Sequence, residues 1–368
     1  MAVFHLSYFS VFADMLASDA AFILAIAVST VHMTSILTTL MIVIMSQPRV
    51  RDARTSRRKF VALVAIVSYN ISSVCDFFKV AVRTMFHGSI VALVTPFSKN
   101  LVDFSALESL IEWQIDSGTD AILVCGSTGE GLLLSDEEKE KIIAVSIEVA
   151  RKRAPIIVGC SSCWTRDAIK LVQNAEKLGA DGVLVIAPYY VKPTQSGIIA
   201  HFSKVHEHSS IPIIMYNNPG RCAVSMATET VVEIAKLKRI VAFKDSDPNL
   251  ARVSLIKSKV PQLKLLSGDD ATLIGYLVHG GDGCISVVCN IEPVLVKRLL
   301  TSWFSGDITS MLEIGKKLAV VNSVLFLESN PIPVKFILHQ MGRIKNELRL
   351  PLTPASEAVA ERIRSELG

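Results

Sequence analysis

Short apolar runs recur from residue 89 onward, and amphipathic stretches separate them. Eight of these runs have the length of a β-strand: 89–94, 121–125, 156–159, 183–187, 213–216, 240–244, 264–267 and 284–288. They are continuously apolar rather than alternating, which is typical of parallel strands buried on both faces. Eight β–α units in about 220 residues predict an α/β protein with a (β/α)8 TIM barrel. An open doubly wound sheet is the alternative fold.

The strand pattern stops near Gly306. From Met311 to Gly368 the sequence is helical in character, with interruptions near Pro331 and Pro351. No low-complexity linker precedes this part, so we expect it to pack on the barrel or on a partner rather than to fold independently. We therefore predict a barrel domain over 85–307 and a small C-terminal helical extension over 308–368.

Residues 1–84 form a hydrophobic leader. Residues 20–45 include no Asp, Glu, Lys or Arg, and at ~1.5 Å per residue they can cross a bilayer core of ~30 Å. The basic cluster at 49–59 would keep the following chain in the cytoplasm. A transmembrane segment at 20–45 is one interpretation. The other is an upstream start that the working protein does not use, with translation beginning at Met85, because the predicted barrel does not need the leader.

Charge distinguishes the leader from the rest of the chain. Residues 1–84 hold 8 of the 38 Lys and Arg residues and 4 of the 34 Asp and Glu residues, so residues 85–368 carry 30 of each sign. The formal surplus of +4 therefore belongs to the leader. A neutral body lacks the basic stripe that nucleic acid requires, which argues against nucleic acid as a partner.

Seven cysteines are present, at positions 75, 125, 160, 163, 222, 284 and 289. Their odd number, and the position of several of them in or beside apolar runs, predict buried, reduced thiols in a reducing compartment. Cys160 and Cys163 form an isolated C-x-x-C motif. It has no second cysteine pair and no histidine at ligand spacing, so we interpret it as neither a redox motif nor a zinc site.

Reactive side chains follow the carboxyl ends of four predicted strands. In a parallel barrel these ends share one face, which is where active sites of this fold lie. The side chains are Ser127, Thr128, Tyr190, Tyr216, Arg221 and Lys244. Each alone has an ordinary interpretation, such as a turn residue, a packed ring or a surface charge. Their common position predicts a single site at this face.

Lys244 is the candidate nucleophile of that site. Partial desolvation at the apolar end of a strand favours the neutral amine, which attacks carbonyl carbons. A tyrosine linked to a hydroxyl would transfer the protons for carbinolamine dehydration and for deprotonation next to the imine. The glycine-flanked N–H groups of residues 126–129 and the guanidinium of Arg221 would hold carboxylates. The pattern predicts a Schiff-base lyase or aldolase that needs no metal and no organic cofactor.

Seven motifs in a fixed order carry a family resemblance. They are MFHGSIVALVTPF at 85–97, GSTGE at 126–130, PYYVKPTQSGIIAHF at 188–202, YNNPGR at 216–221, AFKDSD at 242–247, SGDD at 267–270 and GCISV at 283–287. Together they resemble the 4-hydroxy-tetrahydrodipicolinate (dihydrodipicolinate) synthase family. The resemblance implies that pyruvate forms a Schiff base, and that its enamine attacks L-aspartate 4-semialdehyde in the first committed step of diaminopimelate and lysine biosynthesis.

The resemblance also implies residue roles. Lys244 is similar to the Schiff-base lysine, Tyr216 to the central tyrosine of the proton relay, Ser127 to its hydroxyl partner, and Tyr190 to a relay member that crosses a subunit interface. Substrate contacts are implied for Thr128 with the pyruvate carboxylate, Arg221 with the semialdehyde carboxylate, Ile285 through its backbone, and Gly268 within SGDD. The family is typically a homotetramer built from tight dimers.

Some positions depart from the family pattern. Ser127 stands where threonine is usual, in the GSTGE form common among N-acetylneuraminate lyases, whereas Arg221 favours the synthase. Cys222 also replaces a threonine. The positions of the feedback-inhibitor site hold Gly131, Leu132, Asp136, Lys139, Cys163 and Asp167. We therefore predict weak or absent inhibition by lysine. Inhibition of the purified enzyme by micromolar to low millimolar lysine would contradict this prediction.

Two other functions remain as alternatives. One is another pyruvate-type aldolase, such as an N-acetylneuraminate or keto-deoxy-sugar lyase. The other, more distant, is a membrane-tethered binding or structural protein built on a barrel scaffold. An unreactive Lys244 would favour the second.

Overall fold

Eight parallel strands close into a barrel in the part of the chain that the structure, a computed structural model, describes, which is residues 86–368. The barrel strands are β1 (Gly88–Ala92), β4 (Ala121–Val124), β5 (Ile156–Gly159), β6 (Gly182–Ile186), β7 (Ile213–Asn217), β8 (Ile240–Asp245), β9 (Lys264–Ser267) and β10 (Gly283–Ser286). Each strand pairs with the next in chain order, and β10 pairs with β1 to complete the ring. The predicted TIM barrel is therefore confirmed, and the open sheet is wrong.

Helices surround the barrel and extend beyond it. Those that accompany the strands are α1 (Phe104–Asp116), α2 (Asp136–Ala150), α3 (Thr165–Leu178), α4 (Gln195–Glu207), α5 (Pro219–Cys222), α6 (Thr228–Ile234), α7 (Ala251–Lys259), α8 (Leu273–Val278) and α9 (Pro293–Ser305). The C-terminal helices are α10 (Ile308–Leu325), α11 (Ile332–Gln340) and α12 (Glu357–Leu367). A short antiparallel hairpin, β2 (Phe97–Ser98) with β3 (Leu101–Val102), was not predicted.

All eight predicted strands are present, with ends displaced by at most two residues. The run 89–94 illustrates the reason for the displacement. Leu93 and Val94 are fully buried but lie beyond the end of β1, and the Val94 N–H donates to the Asn290 side chain instead of to a strand. Apolar residues report burial, and burial continues past the last paired residue of a strand.

Helix ends follow local signals. Ser135 caps α2, and its side chain and that of Glu138 form the reciprocal bonds of a capping box. Gly306, with a φ of 80°, ends α9, and Asp307 caps α10 through its side chain. A left-handed glycine followed by a new N-cap separates these two helices without a linker.

The predicted leader, including the possible membrane segment at 20–45, lies outside the described residues. Within residues 86–368, no helix combines the length and the hydropathy that crossing a membrane requires.

His201 is a buried histidine on the outer layer of the barrel. Its Nδ1 lies 3.0 Å from the Thr165 hydroxyl at the start of α3, and its Nε2 has no hydrogen-bond partner among the described residues. The side chain is 3 % exposed, and burial lowers its pKa to about 4. The folded protein therefore opposes protonation of this imidazole, whereas the unfolded chain, with a pKa near 6.5, accepts a proton readily.

Acid is consequently expected to destabilise the fold through His201. The contribution is fully present above pH 6.5 and is lost as the pH falls toward 4, at a cost on the order of 3 kcal/mol. Urea unfolding at several pH values measures this loss, and His201→Gln should remove that part of the pH dependence. His208→Gln, at the exposed C-cap of the same helix, is the control and should behave like the wild type. An unchanged pH dependence in His201→Gln would contradict the assignment.

Candidate active site

Lys244 and Tyr216 stand side by side at the carboxyl end of the barrel. They are directly paired residues of β8 and β7, so parallel register fixes their relative position. Both are buried, at 6 % and 5 % exposure, and the ammonium nitrogen of Lys244 lies 4.4 Å from the centre of the Tyr216 ring. The aromatic face stabilises a cation at this place, whether ammonium or iminium.

Gly268 makes room for the lysine. A Cβ at this position would overlap the Ser246 hydroxyl and would lie 3.0 Å from Lys244 Cε and 3.1 Å from the Asp245 carbonyl oxygen. Its N–H donates to that same carbonyl over 2.7 Å, which brings the chain after β9 close to the end of β8. A larger residue would displace the Ser246 side chain and crowd that of Lys244, so glycine is required here for the close approach of the backbone.

The Tyr216 hydroxyl accepts a hydrogen bond from Asn218 Nδ2 at 2.8 Å. Burial raises the pKa of this hydroxyl, but the positive charge of Lys244 and the bond from Asn218 lower it more, so the pKa is below its ordinary value of 10. Asn218 itself is held because its side-chain oxygen accepts from the Arg221 N–H at the start of α5. Sequence reasoning missed Asn218, although it lies inside YNNPGR and asparagine before proline is a typical helix N-cap.

The carboxylate cradle, residues 126–129, follows β4. Thr128 is 4 % exposed, and its hydroxyl accepts from Asn330 Nδ2 at 2.9 Å. The Gly129 carbonyl accepts from the Thr95 hydroxyl at 2.7 Å. Ser127 lines the cavity and is exposed, and its hydroxyl has no hydrogen-bond partner within residues 86–368. The predicted contact between the Ser127 and Tyr216 hydroxyls is therefore not formed in this structure, where the Tyr216 hydroxyl accepts a hydrogen bond from Asn218.

Arg221 is tied to the C-terminal extension. One of its guanidinium nitrogens donates to the Asn330 carbonyl oxygen at 2.8 Å. Asn330 therefore contacts Thr128 through its side chain and Arg221 through its backbone, and it connects the two predicted carboxylate-binding positions. No sequence pattern pointed to this residue, because the nearby prolines indicated only an interruption between helices.

One cavity of about 1040 Å³ brings most of the predicted residues together: Ser127, Thr128, Tyr216, Arg221, Lys244 and Gly268 all line it. Ile285 does not line it; it is buried on β10, paired with Ile90, while Val287 two residues later reaches the cavity. Tyr190 does not line it either. Its side chain is 89 % exposed on a residue with a φ of 67°.

The prediction of buried, reduced cysteines is confirmed for most of the described cysteines. The six cysteines among the described residues are all free, and five are buried. Cys163 is exposed, so the prediction of burial is wrong for this residue, which lies in the segment before α3 rather than in a strand. Cys222 is buried, and its thiol donates to the Ala187 carbonyl rather than facing the cavity.

Comparisons with known proteins identify a family model and relatives that match this chain. The model of the dihydrodipicolinate synthetase family matches residues 85–367. A 4-hydroxy-tetrahydrodipicolinate synthase of Bradyrhizobium diazoefficiens is 42 % identical over 288 residues, covering 78 % of this chain and 97 % of the relative.

Solved structures agree with the sequence relatives. The dihydrodipicolinate synthase of Aquifex aeolicus is 43 % identical with a TM-score of 0.75, covering 77 % of this chain and 97 % of that one. The chloride-inhibited enzyme of Acinetobacter baumannii, solved in complex with pyruvate, is 41 % identical with the same TM-score, covering 76 % of this chain and 97 % of that one.

Proposed function

Because the chain belongs to the dihydrodipicolinate synthetase family, we propose that it condenses pyruvate with L-aspartate 4-semialdehyde to give 4-hydroxy-tetrahydrodipicolinate. It is then a lyase of the Schiff-base aldolase type, acting at the entry to diaminopimelate and lysine biosynthesis. The observation that carries the proposal is the buried Lys244 amine on the Tyr216 ring, inside a cavity that also presents Thr128 and Arg221.

The reaction begins at the Lys244 nitrogen. The neutral amine attacks the carbonyl carbon of pyruvate, and the carbinolamine loses its oxygen as water to give the imine. A proton then leaves the methyl carbon, and the enamine carbon forms a bond to the aldehyde carbon of the second substrate, whose oxygen takes up a proton. Attack on the imine carbon by the amino group of the second substrate releases Lys244 as a free amine.

Tyr216 is placed to move the protons of these steps. Its hydroxyl has a lowered pKa, in part because of the nearby Lys244 charge, so it releases a proton more readily than a free phenol does. Asn218 donates to its oxygen and orients it. We propose that Ser127, which lines the same cavity, completes the relay when substrate is bound.

The carboxylates are assigned to different walls of the cavity. The cradle, with its backbone N–H groups and Thr128, suits the carboxylate of pyruvate. Arg221 uses part of its guanidinium on Asn330 and keeps further N–H groups for the carboxylate of the aldehyde. Gly268 completes the wall beside Lys244, and we propose that the backbone of Ile285 supports the floor from β10.

Trapping with pyruvate and borohydride tests the proposed chemistry. Reduction of the imine should attach the three-carbon unit to Lys244, as located by peptide mapping, and a coupled assay should then show consumption of aspartate semialdehyde. An adduct on another lysine would overturn the mechanism. Trapping at Lys244 without turnover of this aldehyde, but with cleavage of N-acetylneuraminate or keto-deoxy-sugar acids, would support the alternative lyase.

We also propose a homotetramer in which Tyr190 enters the site of a neighbouring subunit. Its almost complete exposure on a backbone with positive φ supports this role, because a bulky residue is costly in that conformation unless other contacts hold it. Sedimentation velocity combined with activity at decreasing concentration tests it: activity should disappear as the assembly dissociates. A fully active monomer would contradict it.

A cytoplasmic location is proposed for the same enzyme. The six free cysteines among the described residues are consistent with a reducing compartment.

We also propose that the barrel domain spans 85–307 and the C-terminal helical extension 308–368, with the extension contributing Asn330 to the site.

A further inference from the structure

A fully buried ion pair lies directly behind the carboxylate cradle. Lys335 Nζ is 2.6 Å from Glu130 Oε1, and both side chains are 0 % exposed. The second carboxylate oxygen of Glu130 accepts from the Arg349 N–H at 3.2 Å, and the ammonium also lies 4.3 Å from the centre of the Phe97 ring. Burial lowers the pKa of Lys335, while the facing carboxylate of Glu130 opposes that change.

An ion pair in such a place needs an explanation other than stability. Removing two charges from water costs about as much as their attraction returns, so a well-packed apolar pair is often equally stable or more so. Losing only one partner is different, because it leaves an unpaired charge in the interior. A buried pair is therefore most informative about geometry, since it fixes the separation of the two chain segments that carry it.

The two segments are the end of the cradle and the helix α11. Glu130 follows Gly129 directly, in the left-handed conformation with a φ of 51°. Lys335 lies near the start of α11, and Asn330, just before that helix, bonds to Thr128. The same short stretch of the C-terminal extension therefore contacts the cradle at Thr128 and contacts Glu130, the residue that directly follows the cradle.

We propose that Lys335, through its ion pair with Glu130, is a positioning residue that holds the cradle at the distance from Lys244 that pyruvate requires. The inference rests on the proposed function for the identity of the ligand. Asn330 adds the contact to Arg221, so α11 also sets the cradle relative to the second carboxylate position. Small displacements of such a cradle weaken capture of the keto acid, because the reacting atoms must be held near attack distance.

Paired substitutions separate this role from a purely structural one. Lys335→Met and Glu130→Gln each leave an unpaired group and are expected to lower stability. The double variant removes both charges and is expected to regain most of it, as measured by urea unfolding. Glu130→Asp keeps both charges but shortens the carboxylate arm, so it remains folded while the cradle shifts. Lys316→Met, which breaks an exposed pair with Glu313, is the matched control.

Two readouts then decide the inference. Hydrogen exchange in peptides covering residues 126–133 should be about tenfold faster in the double variant and unchanged in the control, whatever the ligand. The pyruvate concentration for half-maximal borohydride trapping at Lys244 should rise at least about fivefold in both the double variant and Glu130→Asp.

Wild-type hydrogen exchange in a stable double variant would overturn the positioning role, and so would wild-type pyruvate trapping in both the double variant and Glu130→Asp. If the wild-type protein traps no pyruvate at all, the proposed function fails, and the exchange measurement still decides whether the ion pair holds the cradle.

Discussion

Lys244→Met is expected to abolish imine trapping and to reduce turnover by on the order of 10³-fold or more, because the reaction loses its covalent route. Methionine has a similar length and no charge. It can therefore fill the space between the Tyr216 ring and Gly268, and the protein should remain folded. Loss of the adduct is measured by mass spectrometry after treatment with pyruvate and borohydride, and turnover by the coupled assay.

Lys316→Met is the control for this substitution. Lys316 is an exposed lysine on α10, paired with Glu313, and its replacement should leave trapping and turnover at wild-type levels. A Lys244→Met protein that still forms a reduced pyruvate adduct would show that another amine is the nucleophile.

Tyr216→Phe is expected to lower kcat by about 10²- to 10³-fold while the adduct at Lys244 still forms, more slowly, because only the proton-transfer hydroxyl is removed. The ring remains beneath the lysine, so binding and packing change little. The pKa of Tyr216 is lowered in the free protein, so the alkaline limb of the wild-type kcat/KM profile should fall below pH 10. The variant should lack that limb.

Tyr276→Phe is a suitable comparison, because Tyr276 is also fully buried but lies on α8, away from the cavity. It should retain wild-type kcat and the wild-type pH profile. If Tyr216→Phe kept both as well, the proton relay would have to be assigned to another group.

Much of the fold was predictable because each barrel strand is buried on both faces. Continuous apolarity in runs such as 240–244 is a local property, and it requires no knowledge of the partner strand. The hairpin Phe97–Val102 was missed because its strands have two residues each, and each strand has only one buried residue. The ends of β1 and β10 were misplaced because burial continues past the last strand pair.

The candidate site was predictable where its residues follow strand ends. Lys244, Tyr216, Thr128 and Arg221 could be placed together because parallel strands bring their carboxyl ends to one face. Strand positions did not predict that Tyr190 is exposed or that Ile285 lies outside the cavity. Whether a side chain enters a cavity depends on the local backbone, such as the positive φ of Tyr190.

The sequence by itself determined the barrel and the family to which the chain belongs, and it singled out Lys244 as the candidate nucleophile, since these depend on local burial and on ordered motifs. Only the tertiary structure decided which groups complete the site. Asn330 and Lys335 reach the cradle from 202 and 205 residues away. The physical reason is that such contacts depend on how the C-terminal helices pack across the closed barrel, and local hydrophobic patterns carry no record of that packing.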